Sequence, residues 1–468
     1  MERRRRITIL VAVLLLSAGV LAGSAISAEE ATPREHVTAE GPYPGPTLIT
    51  VQAYGGFGGH NGEAFIVNAD GERLWEYQPD DAAVFDAEYL ENGTVMLSYG
   101  QKVPDEECPS EWRDTPEDHC IENHVREIDP ETDEVVWEYT WHDRYMNYHE
   151  VHDADRLDNG ETVIIDMGQH RVFTVDEDGE RTWEWSAIEH LDEGTPFWEE
   201  HVEGTAREDH HYTGPNQDWT HMNDVDRLEN GNFLLSIRNF DVLIEVDPET
   251  DEVVRVIGEP GDHDVMYEQH DPNYLEEHDH VIVSDSENNR IVEYDVAPAE
   301  EAASGEDDSP SVEGGDATFV EEVWRYEGPG PNDRLAWPRD ADRLPNGNTL
   351  IADSRNFRVL EVNETGSVVW SYDMREQRGI VYDADRLDTR SELGERSPAL
   401  DEEPENVPPG DQLDGTEHST LSDYYNTARS WLGFVLPPWV GAPGLVAILF
   451  GVGSIVGLVY EGYRGRTP

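Results

Sequence analysis

The chain has 468 residues, 102 acidic against 32 basic side chains and a formal net charge of −70, with Lys102 its single lysine. Outside the terminal arginines there is no basic patch for a phosphate backbone, which excludes nucleic acid as a partner. Thirteen tryptophans and a clear strand periodicity exclude a disordered acidic tail; the charge fits a folded surface in concentrated salt, where screening shortens to about 3 Å at 1 M and self-repulsion becomes tolerable.

Met1 to Arg6 carries four consecutive arginines and Ile7 to Ala28 carries no charge, so residues 1–28 read as a signal peptide or an N-terminal membrane anchor. The small residues Ser24 to Ala28 suit a cleavage site, which leaves removal and retention both open. Residues 29–44 read as a linker. From 45 to 390 one phrase recurs: DAEYLENG from Asp86, DADRLDNG from Asp153, DVDRLENG from Asp224, DPNYLEE from Asp271, DADRLPNG from Asp340 and DADRL from Asp383. Apolar strands follow each of the first five copies, and most of these repeats end in a Trp-containing strand such as VVWEYTW or VVWSY. Four short strands per repeat make a propeller blade.

The sixth copy has one strand left, whereas the region before the first copy supplies three: TLITVQ at 47–52, EAFIVN at 63–68 and RLWEYQ at 73–78. One plus three completes a blade. The fold class is therefore all-β, a six-bladed β-propeller whose N-terminal strands close the ring. Cys108 and Cys120 lie in an insert of the first blade, where a location outside the cytoplasm favours a disulfide over a metal pair with His119. The insert Ala297 to Ala317 and the acidic segment 391–430 read as solvated linker. After a membrane-proximal segment at 431–441, residues 442–460 are apolar and uncharged and precede Arg464 and Arg466, which reads as a transmembrane helix with a cytoplasmic tail at 461–468. Basic flanks at both outer ends place the propeller on the extracellular side of the cell membrane.

The residue before each repeated aspartate varies: Phe85, His152, Asn223, His270, Arg339 and Tyr382. First strands line a propeller's channel, so these six side chains should form one ring. Aromatic walls, a fixed positive charge and imidazoles suit a pocket for an aromatic anion; a channel plugged by satisfied polar groups is the plain alternative. Beside the ring, His221, Arg238 and Asn239 stand at strand ends, where polar side chains serve a ligand better than a core. His124, His142, His170 and the pair His210-His211 lie in turns or inserts and read as surface residues.

The segments DWTHMNDVD, SIRN, YEQHDPNYL and SDSENNRIVEYD resemble those of the bacterial arylsulfotransferase (ASST) family over roughly residues 45 to 387. The resemblance implies a six-bladed propeller outside the cytoplasm that moves a sulfuryl group from an aryl sulfate donor to a phenolic acceptor, with no nucleotide or other cofactor. It implies His270 as the nucleophile that becomes sulfated, with His221, Asn223 and Arg238 holding the sulfuryl oxygens. His152 is similar to an earlier family histidine, with His149 a rival for that position. The acidic composition in turn resembles the haloarchaeal style. Two other classes stay open on the residues alone: a non-catalytic binding propeller, and a metal-dependent lyase or hydrolase with His152, His221 and His270 as ligands.

Overall fold

The computed structural model describes residues 2–30, 42–55, 61–113, 119–144, 148–296, 317–318, 320–328, 334–387, 409–413, 415–416 and 442–464. It divides into a propeller unit and a unit made chiefly of the two chain ends.

In the propeller the repeated phrase lies on the first strand of each of six antiparallel sheets: Ala82–Tyr89, Val151–Arg156, Met222–Arg227, His270–Leu275, Pro338–Arg343 and Ile380–Arg386. Blades one to five run through consecutive strands. Blade six pairs Ile380–Arg386 with Thr47–Ala53, Glu63–Val67 and Arg73–Tyr77, with Thr47 opposite Arg386, so the ring closes by one strand plus three. A two-residue strand, Ala317–Thr318, adds in parallel to the outer edge of blade three.

The invariant letters of the phrase are joints between blades. Asp153 accepts the Val225 N–H of blade three at 2.6 Å, Asp340 the Ala384 N–H at 2.9 Å and Asp383 the Ala87 N–H at 3.3 Å. Each bond runs from a motif carboxylate to the residue after the next blade's motif aspartate. The motif arginine reaches back in the other direction, to a glutamate on the third strand of the preceding blade: Arg156 to Glu127 at 2.9 Å, Arg343 to Glu293 at 2.6 Å and Arg386 to Glu361 at 3.0 Å. Buried pairs of this kind fix register more than they add stability. At the rim, fourth-strand tryptophans donate to the next blade, as Trp137 Nε1 does to Glu177 O at 3.1 Å and Trp370 Nε1 to Ala69 O at 3.0 Å. The core lies between blades; Val163, Ile165 and Trp185 of blade two pack with Val225, Leu235 and Ile244 of blade three.

Each inner strand also carries a register shift where the column residue meets the motif aspartate: Val84/Ala87, Val151/Ala154, Met222/Asp224, His270/Pro272, Pro338/Asp340 and, opposite Val381 to Ala384, Ile49/Val51. Such a bulge suspends the strict alternation of a strand. Two neighbouring residues can then serve the channel together.

The acidic segment 391–430 departs from a purely solvated linker at one point. Gly410 N donates to Glu293 Oε1 at 2.8 Å and Thr416 N to Arg325 O at 2.8 Å, which docks this stretch on blade four. A side chain at Gly410 would collide with Trp324 and Glu293. The insert at 297–316, linker residues 31–41 and the segment 431–441 lie outside the described residues.

In the second unit, Glu2–Glu30 and Ala442–Arg464 are helices, joined by an Arg6 to Glu461 pair at 3.7 Å. Gly451 and Gly457 leave room there for Ser17 and Leu10. Among the described residues no helix is long and apolar enough to cross a membrane.

Cys108 and Cys120 are bonded, with Cα atoms 6.0 Å apart and both side chains buried beside Val103. The closed loop is short, and its removal from the unfolded ensemble contributes about 2 to 3 kcal/mol. The double variant Cys108→Ala/Cys120→Ala should therefore unfold at lower denaturant by that amount in concentrated salt. An unchanged midpoint, or two free thiols on denatured unreduced protein, would contradict it.

Candidate active site

The six column residues meet around the axis. Phe85 stacks on His152 at 4.3 Å between ring centroids, and Tyr382 stands edge-on to Phe85 at 5.2 Å, to His152 at 5.6 Å and to His270 at 6.0 Å. The Arg339 guanidinium lies over the Tyr382 ring at 4.4 Å, and Asn223 Nδ2 donates to Gln269 O at 2.9 Å beside His270. His221 joins the ring through His152, 5.4 Å away. His149 takes a different place: its Nδ1 faces Asp143 Oδ2 at 3.1 Å and its carbonyl accepts from Asn123. His152, and not His149, is the histidine in contact with Phe85, His221 and Tyr382.

Hydrogen bonds fix the imidazoles. Ser286 Oγ has one proton and its best acceptor is Pro338 O at 2.7 Å, so its lone pair accepts from His270 Nδ1 at 2.8 Å. This leaves the His270 Nε2 lone pair available. His221 Nδ1 donates to Asp218, 2.8 and 2.9 Å from its two oxygens, which likewise leaves Nε2 as the working atom. His152 Nδ1 faces Glu150 O at 3.3 Å.

Burial sets the charges. It pushes His270 well below the usual histidine range, with Arg339 and Arg238 adding to the effect, and it lowers His152 strongly with help from His221. His221 is lowered by burial and then by Arg238, against the pull of Asp218. Burial works against the Asp218 carboxylate, but His221 and then Arg238 outweigh it and hold Asp218 at about 2. The result is a set of neutral imidazoles beside guanidiniums, with an ionised carboxylate behind one of them.

Three arginines converge here. Arg238 donates to Asn239 Oδ1 at 2.9 Å and to Glu268, while Arg339 and Arg355 each stack on Trp337 at 4.1 Å. Burial brings Arg339 down to about 10 and Arg355 to about 9, Arg238 adding to the effect at both and Arg339 at Arg355. Both remain charged at neutral pH, and an anion among them would relieve this repulsion.

Sequence reasoning missed Asp218, Glu268, Ser286, Trp337 and Arg355. Arg355 had a signal: Ser354-Arg355-Asn356 is a 3-10 turn in blade five that corresponds to Arg238-Asn239-Phe240 in blade three. Another lay two residues before the column, where His221, Glu268 and Trp337 have left-handed backbones with φ of 47°, 50° and 55°. Bulky residues hold such angles only where their surroundings enforce them. The reading of His124 and His170 as surface residues is corrected, because they are only 4% and 2% exposed. His124 stacks on Tyr99, and His170 bonds Thr220 at 2.9 Å among Tyr212 and Trp219. The histidine trio does not make a metal site either. Among the described residues, the side chains that bring three ligand atoms within 4.8 Å of one another are Asp271, Asp340 and Asp383.

The His152 ring proton measured by NMR should titrate well below the ordinary 6.5, and Arg339→Gln should move that titration upward by removing one source of repulsion. Titration at or above 6.5 in the wild type would contradict the buried, neutral ring.

No curated protein matches the chain. Among solved structures, a protein of unknown function from Bacteroides caccae is 14% identical, with 73% of this chain and 98% of that one covered at a TM-score of 0.45. Catalytically inactive virginiamycin B lyase from Staphylococcus aureus is 9% identical, with 75% and 90% covered at a TM-score of 0.38. Likeness at this level carries no conclusion about activity. The arylsulfotransferase (ASST) family model matches residues 164–375, a stretch that holds His221, Asn223, Arg238, His270, Arg339 and Arg355, so this part of the chain is similar to the ASST family.

Proposed function

We propose that the protein is an aryl sulfate sulfotransferase that works through a sulfo-histidine at His270. The observation that carries this reading is the His270 imidazole, neutral, fixed at Nδ1 by Ser286 and set between the aromatic walls and the guanidiniums of one ring. Sulfuryl transfer, like phosphoryl transfer, asks chiefly for alignment and for charge stabilisation on peripheral oxygens. His270 Nε2 attacks sulfur, the S–N bond forms, and the aryl S–O bond breaks. Because the nucleophile is uncharged, it meets no repulsion from an anionic donor.

Arg238 and Arg339 hold the sulfuryl oxygens, with Arg355 adding to the field through Trp337. Asn223 and Asn239 bound the same pocket, and Phe85 and Tyr382 form walls for the aryl ring. Once the bound donor's negative charge offsets Arg238, His221 Nε2 takes up a proton from solvent, Asp218 supports the resulting imidazolium, and the departing phenolate takes that proton. The acceptor phenol then returns a proton to the same atom as its oxygen displaces His270 from sulfur. His152, packed between Phe85 and His221, keeps the ring dry and uncharged.

The location outside the cytoplasm, with both ends of the chain at the cell membrane, belongs to the same proposal. It is supported by the arginines at both outer ends, by the disulfide, and by outward aliphatic residues such as Leu15, Leu16, Leu449 and Val459 on the terminal helices. Protease added to intact cells should cut the propeller; a propeller left uncut would refute this location.

Donor alone should release one equivalent of phenol in a burst and leave sulfate on the protein, and the steady state should be ping-pong. His270→Asn should abolish both burst and label. Arg238→Ala should retain labelling at a rate reduced by about 10² to 10³. Normal turnover by His270→Asn, or activity that vanishes with chelator and returns with metal, would overturn the sulfo-histidine route. Absence of transfer from any aryl sulfate at high salt would favour a non-catalytic binding propeller.

A further inference from the structure

Next to the chemical ring runs a second one, formed by the six motif aspartates, and one of its joints cannot form. The clasp made by Asp153, Asp340 and Asp383 needs a backbone N–H one residue beyond the following blade's aspartate. Between blades three and four that residue is Pro272, which has no N–H. Asp224 Oδ2 is accordingly buried without a hydrogen-bond partner, in a residue only 8% exposed. A buried carboxylate oxygen without a donor calls for a positive partner.

Beside it, blades four, five and six bring one oxygen each of Asp271, Asp340 and Asp383 within 4.8 Å of one another. Oxygens around one Ca²⁺ at 2.3 to 2.6 Å lie at most about 5 Å apart, so this spacing suits a single ion.

We propose that the channel binds one divalent cation, Ca²⁺ or Mg²⁺, through Asp271, Asp340 and Asp383, with the unpartnered Asp224 carboxylate as the neighbouring negative charge. An all-oxygen, all-carboxylate set selects hard cations over zinc or copper. The ion joins blades four to six next to the interrupted clasp. Its role is structural and does not depend on the sulfotransferase reading.

The test is equilibrium dialysis of the full chain, stripped with chelator in concentrated KCl, against radioactive Ca²⁺ alone. The wild type should bind one saturable equivalent, displaced by Mg²⁺, and its thermal midpoint should rise with Ca²⁺. Asp340→Asn and Asp383→Asn keep an oxygen to accept the Ala384 and Ala87 N–H groups but lose charge; each should weaken binding by about tenfold or more. Pro272→Ala keeps every carboxylate and restores a donor to Asp224, so it too should weaken binding. No saturable equivalent in the wild type, only weak multiple binding to the acidic surface, or undiminished binding in whichever of these variants fold would overturn the proposal. Should none of the variants fold, the wild-type stoichiometry and the Mg²⁺ competition decide alone.

Discussion

A carboxylate that reaches from one blade to the backbone of the next, at a bulge, is the constraint on which the rest of this molecule depends. The bulge breaks the strand's alternation at the point where the column residue meets the motif aspartate. The aspartate takes the structural task, and its neighbour is released from it. That division of labour is why one position repeats in every blade while the adjacent one carries imidazole, amide, guanidinium and aromatic side chains. A ring of unlike groups can therefore be built from like blades, without altering the joints that hold them.

Charge is distributed in two opposed layers. The chain as a whole carries −70, yet Arg238, Arg339 and Arg355 gather at one end of the channel with three imidazoles that burial keeps neutral. In dilute solution the outer charge would repel an anionic substrate, whereas in concentrated salt its reach shrinks to a few ångströms, about 3 Å at 1 M. The buried cluster is screened much less than the surface. Salt thus silences the surface selectively and leaves the local field of the site intact. The match of residues 164–375 to the arylsulfotransferase family model agrees with a site of that polarity.

The repeat was legible because six copies of a phrase can be aligned against one another, and the alignment located both the closing blade and the column. Spacing also gave Arg238 and Asn239. Asp218, Glu268, Ser286 and Trp337 were not legible in the same way, since none is a letter of the repeated phrase: Asp218 and Ser286 act through a hydrogen bond to an imidazole, Glu268 and Trp337 through a left-handed turn that points them inward. His124 and His170 show the converse error. A turn or an insert in the sequence implied solvent, but Tyr99 of a neighbouring strand covers His124, and Tyr212 and Trp219 of the loop before blade three cover His170. The docking of Gly410 and Thr416 on blade four was hidden because a single glycine contact inside acidic surroundings has no periodicity to detect.

Closure by one strand plus three sets an order of events for a chain that folds as it is synthesised. Thr47–Ala53 emerges early, but its inner partner includes Arg386, which lies 386 − 47 = 339 residues further along. At about 5 to 20 residues per second that partner arrives roughly 20 to 70 seconds later. Through this interval three apolar strands form a sheet with one open edge, in a chain whose other blades are completing in sequence. Such an edge invites pairing with a second nascent chain, and the acidic side chains of two chains oppose it only at contact, inside the few ångströms that screening leaves. The surface that keeps the finished protein apart from its neighbours therefore also guards the unfinished one.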